Sequence, residues 1–222
     1  MMNRMPFHRA IGAAGLAMTV LLGGGCLFNP PEKPPVTNPP VVYHAYTHPD
    51  SLVANFILAW ENRDIAEYRD HILYKGSELA PDGNAYQVFM FYFAEDPADP
   101  DSDLPDFFIY DEEIETVTKM FSGTPGVSGT PGIREISLAL EPFSASWQAP
   151  SNPDHVEGDP YPPLTRQRYY STDMLITLKS EIPGTDINGF VVTDRLWFHV
   201  IPVQVGDQVE YRIWKWRDIL TD

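Results

Sequence analysis

One cysteine in 222 residues excludes an internal disulfide and any zinc site built on several thiolates. Basic residues are also few: 15 Lys and Arg stand against 31 Asp and Glu, a formal charge of -16. A phosphate backbone is attracted by a basic face, so a general nucleic-acid binder is excluded as well. Long apolar runs are missing. The uncharged stretch Ala10–Leu22 falls short of the roughly 20 residues that a membrane-spanning helix needs. No Gly-x-Ser-x-Gly elbow, dinucleotide fingerprint or P-loop occurs, so no cofactor is expected. What is present is 43 % hydrophobic residues, enough for a core, and 22 prolines that cluster instead of spreading.

The first segment, MMNRMPFHRAIGAAGLAMTVLLGGGC, has Arg4 and Arg9 before the apolar stretch and small residues after it. That order is the pattern of a secretory signal. Leu21-Leu22-Gly23-Gly24-Gly25-Cys26 resembles the lipobox of bacterial lipoproteins, although Gly23 stands where an aliphatic residue is usual. The resemblance implies cleavage before Cys26, lipidation of its thiol and an exported protein anchored in a membrane, facing the periplasm or the cell exterior. Several acyl chains anchor stably where one does not. An ordinary signal peptide, or a Cys buried as a small hydrophobe, is the alternative. Residues 1–25 then form the signal and 26–46 a tether. Pro30-Pro31, Pro34-Pro35 and Pro39-Pro40 fix φ and remove donors, which favours an extended polyproline II spacer.

Residues 47–222 have the size of one domain. Thr47 is the expected cap of a first helix carrying Leu52, Val53, Phe56, Ile57 and Trp60 on one face. Asp64 and Glu67 read as a capping box for a shorter helix with Ile65, Tyr68 and Ile72. Tyr86–Phe93 is expected to be a buried strand, and Asp111–Phe121 a third helix ended by Gly123. Ile133–Trp147, Arg168–Ser180, Phe190–Val203 and Gln208–Arg217 follow as strands, the last two joined by a hairpin at Val205–Gln208. Helices first and an antiparallel sheet afterwards make an α+β fold.

That order is similar to the nuclear-transport-factor-two-like superfamily, the cone of ketosteroid isomerase, scytalone dehydratase and SnoaL-type proteins. Asp50–Asp70 resembles its opening, and Tyr211–Asp218 the aromatic-basic last strand of lipoproteins with this domain. Glu95–Asp106 and Gln148–Gln167 read as insertions. The resemblance implies three helices packed in a strongly curved, mostly antiparallel sheet whose open end is an apolar cavity for a small ligand.

Candidate chemistry is sparse. His71, with Tyr68 and Asp70, falls where related cones place acid–base residues, and His199 lies on a late strand with Trp197 and Ile201 on its face. The competing reading is that these histidines are structural or exposed. Trp197, Trp214 and Trp216 suggest a stacking surface, with Trp214 and Trp216 on one face opposite Ile213; packing or a dimer interface is the plainer use. Asp99, Asp101 and Asp103 alternate as calcium ligands do, but Leu104 and Tyr110 break the EF-hand pattern, which leaves a solvated acidic loop. Three functions fit: a non-enzymatic, lipid-tethered envelope protein whose cone binds a small molecule or a protein partner; an isomerase- or dehydratase-like enzyme; and a structural assembly factor, as a homodimer or with an envelope protein. Two ionisable side chains converging inside the cone would favour the enzyme, and an aromatic plug the interface.

Overall fold

A computed structural model of the chain describes residues 40–93, 106–126, 130–150, 161–179 and 189–219. Cys26 and the acidic trio Asp99, Asp101 and Asp103 lie outside these residues. Helix α1 spans Pro49–Asn62. Its cap is His48, not Thr47: the imidazole Nδ1 accepts the Asp50 N–H at 3.2 Å. Leu52, Val53, Phe56 and Trp60 of the expected stripe are buried and Ile57 half-buried, and Arg63 closes the helix in the left-handed region.

Asp64 Oδ1 accepts the Glu67 N–H and caps α2 (Ile65–Glu67), but the Glu67 carboxylate turns away to take the Tyr46 hydroxyl. The expected second helix therefore becomes one α turn followed by a π-helical turn, Tyr68–Ile72. The wider turn points Tyr68 and Ile72 inward and leaves His71 exposed, 6.0 Å from the Tyr46 ring. Strand β1 is Met90–Tyr92, shorter than Tyr86–Phe93, and it pairs with β2, Phe107–Ile109, which the sequence did not announce. Helix α3 runs Tyr110–Ser122, with the Glu112 carboxylate accepting the Ile109 N–H. Gly123 stops it at φ 63°, and a Cβ there would meet the Ile133 carbonyl oxygen at 2.6 Å.

Strands β3 (Ile133–Pro142), β4 (Arg166–Leu178), β5 (Gly189–Val205) and β6 (Gln208–Ile219) form a meander. The sheet order is β2-β1-β6-β5-β4-β3, antiparallel except for β1 against β6. The fold is α+β, three helices against a curved six-stranded sheet. Strand β3 ends before Trp147, whose indole instead donates to Asp50. The compact unit begins at Val41. Residues 41–46, assigned from sequence to the tether, are tied in by Asn55, which exchanges two 2.8 Å hydrogen bonds with the His44 backbone, and by buried Tyr46. Among the described residues no helix is long and apolar enough to cross a membrane.

One irregularity decides which residues face which side. His199 pairs with Lys215 and Val200 with Ile213, so Trp214 is an extra, bulged residue. Ile213 and Trp216 consequently share the helix-side core with Phe56, Phe198 and Val200. Trp214 packs on the opposite face with Tyr74, Ile201 and Val203. The strict alternation that placed Trp214 and Trp216 together is thus corrected.

Candidate functional site

The helix side of the sheet is filled by aromatic rings. Phe56, Trp60, Tyr68, Phe121, Phe198 and Trp216 meet one another with centroids 5.3–6.1 Å apart. Carboxyl groups stand at the margin of this block. Glu113 comes from α3, one turn before Val117 and two before Phe121 on the buried stripe, and is 4 % exposed. Tyr68 Oη donates to Glu113 Oε1 at 2.7 Å. Burial pushes the Glu113 carboxyl up to about 7, and the tyrosine bond only partly opposes this. The Tyr68 hydroxyl is held far above its ordinary range by burial and by the Glu113 charge.

Asp218 on β6 faces the same side as Trp216, two residues away, and the Trp216 indole donates to its Oδ1 at 3.0 Å. Its carboxyl is also pushed up to about 7, first by burial, then by the negative charges of Asp194 and Glu113. Asp194, half-buried on β5, is raised by burial too. Opposite it on β4 lies Thr172, whose buried hydroxyl has no partner among the described residues. Phe91, Phe93 and Phe108 make the nearby wall, with Phe91 4.8 Å from Trp216. Carboxyls from α3, β5 and β6 thus converge where the buried core gives way to half-buried residues. Two of them are poised to gain or lose a proton near neutrality.

Of the sequence candidates, Tyr68 belongs to this cluster and Trp216 borders it. Asp70 points outward, held well below the usual carboxylate range by Arg69 at 2.6 Å and Lys75 at 3.1 Å. His199, Trp197 and Trp214 are buried on the other face of the sheet. Glu113 and Asp218 were missed. Glu113 sits among Asp111 and Glu112 at a helix start, where acids are favoured on any exposed helix, and only its place on the Val117–Phe121 stripe marks it as inward. Among the described residues no group of three His, Cys, Asp or Glu side chains could hold a metal.

No family model matches the chain, and no curated protein matches it. Among solved structures, it is similar to a candidate aromatic ring hydroxylase from Novosphingobium aromaticivorans, at 11 % identity and TM-score 0.45 over 78 % of this chain and 86 % of that one. It is also similar to a candidate dehydratase of the nuclear-transport-factor-two-like family from Streptomyces avermitilis, at 12 % identity and TM-score 0.45 over 77 % of this chain and 93 % of that one.

Proposed function

We propose that the chain is a lipid-anchored envelope protein whose cone carries out proton transfer on a small, largely apolar molecule, as an isomerase or dehydratase does. The observation that carries the enzymatic part is the pairing of Glu113 and Asp218, from separate elements, with both carboxyls pushed up to about 7. Isomerisation and dehydration each need one group to take a proton from carbon and another to deliver one, and both groups must be close to neutrality in pKa. Asp218, partly exposed, is the group that meets the substrate; Glu113, fixed by Tyr68, is the buried proton donor behind it.

The test uses the full chain, a panel of cyclic ketones and β-hydroxy carbonyl compounds, and deuterium exchange at carbon followed by NMR. Exchange catalysed by the wild type and lost by on the order of a hundredfold in D218N supports the reading. Exchange no faster than in buffer, or full activity in D218N, overturns it. The aromatic block of Phe56, Trp60, Phe121 and Trp216 favours a second reading, a structural assembly factor that uses its sheet as an interface without chemistry.

The anchor rests on the lipobox-like run ending at Cys26. Palmitate labelling that appears in wild-type cells and is absent in C26S supports it; equal labelling in both removes it.

A further inference from the structure

The opposite face of the sheet carries a cluster that the proton-transfer reading does not use. His199 is 4 % exposed, and among the described residues neither ring nitrogen has a hydrogen-bond partner. Gln167 Oε1 and Trp197 Nε1, in residues each 5 % exposed, have no hydrogen-bond partner among the described residues either. Gln167 faces His199 across the β4–β5 ladder, and Lys215 faces it across β5–β6. A buried polar atom without a bond forfeits its hydration with nothing in return, so four such atoms on neighbouring residues point to a polar ligand.

Rings shape the place. Tyr161 stacks on His199 with centroids 5.3 Å apart, and Trp197 lies tilted against it at 4.4 Å, so the imidazole is held among rings while its two nitrogens make no hydrogen bond among the described residues. The bulge turns Trp214 onto this face, with its ring 5.9 Å from Tyr161. Tyr161 belongs to a loop and is half-buried.

Charge selects the class of ligand. The chain is strongly acidic, yet this face presents Lys215, 4.4 Å from the Trp214 ring, and Arg217. Arg212 on the same face is matched by Glu78 and Glu210. Arg217 forms no ion pair among the described residues and lies over the Tyr92 ring at 5.2 Å. Trp197, His199 and Lys215 can each donate, and a half-turn of the Gln167 amide adds a fourth donor. We propose that this cluster binds a small aromatic carboxylate, with its ring against Trp214 and Tyr161 and its carboxylate accepting from Trp197, His199 and Lys215.

The experiment titrates the full chain, labelled at tryptophan and histidine, with benzoate, benzamide and benzyl alcohol, and reads the Trp197 indole and His199 ring signals by NMR. Benzoate alone is expected to shift both signals saturably, and K215M to weaken it by about tenfold, as loss of a charge-assisted bond does. If K215M does not fold, R217Q and H199Q are read in its place, each weakening benzoate. Benzamide binding as tightly as benzoate overturns the anionic class. No shift with any probe, with the indole N–H exchanging with bound water, shows hydration alone and overturns the site. Because Asp218 lies on the other face, D218N leaves benzoate binding unchanged whether or not it abolishes exchange at carbon.

Discussion

The Tyr68 hydroxyl and the Glu113 carboxylate form a 2.7 Å hydrogen bond across 45 positions of sequence, joining the π-helical turn to α3 inside the core. Y68F removes the one donor to that carboxyl among the described residues and leaves it buried. We expect a loss of about 1–3 kcal/mol in urea unfolding, together with a further rise in the pH at which Glu113 ionises, read by carboxyl-carbon NMR. An unchanged titration would mean that the bond does not form in solution.

Glu113 also gives the stability curve a direction. Its folded carboxyl titrates near 7, above the ordinary 4.5, so the folded state keeps a proton that the unfolded chain releases. Stability therefore falls as pH rises from about 4.5 to about 7 and levels off beyond, by up to the order of 3 kcal/mol. E113Q keeps an acceptor for Tyr68 and should remove roughly half of the slope, because Asp218, raised from 3.8 to about 7, contributes a similar part over the same window. Urea midpoints at about pH 5 and pH 8 check it; equal slopes in the two proteins would count against a buried, proton-holding Glu113.

His199 acts in the opposite sense. Burial, then the charges of Lys215 and Arg217, hold its imidazole down to about 3 from 6.5. Below about pH 6.5 the unfolded chain takes up a proton that the folded state refuses, so stability is lost as pH falls from there toward 3. H199Q should be less sensitive to acid over that window in thermal melts, and an acid limb as steep as the wild type's would contradict the placement.

How much of this was legible beforehand depends on what each signal measures. The stripe of α1, the Gly123 stop and the Val205–Gln208 hairpin follow from local periodicity and turn chemistry, and they are where they were expected. Strand β2 has only Phe107, Phe108 and Ile109, too few for a period, and exists because β1 offers it an edge. The π-helical turn answers packing by Tyr68 and Ile72, which no local rule encodes. Asp218 closes an aromatic strand and gains its raised pKa first from burial in the assembled fold and then from the charges of Asp194 on β5 and Glu113 on α3, so its sequence surroundings carried no sign of it.

Arg212 offers a stability test away from both clusters. Its guanidinium, 3 % exposed at the side chain, donates to Glu78 at 3.0 Å and Glu210 at 2.8 Å. E78A leaves a buried charge half-compensated and should cost about 3–5 kcal/mol in chemical unfolding. R212M, which removes the charge along with its need for partners, is expected to cost less; the reverse order would refute the ion-pair account.

Trp214 has no opposite number on β5. Odd and even positions therefore trade sides at that point along the last strand, and a ruler that counts by twos is true on only one side of it. Any relative lacking the extra residue must be aligned with a gap there before a role is carried across, or every assignment beyond it lands on the wrong surface.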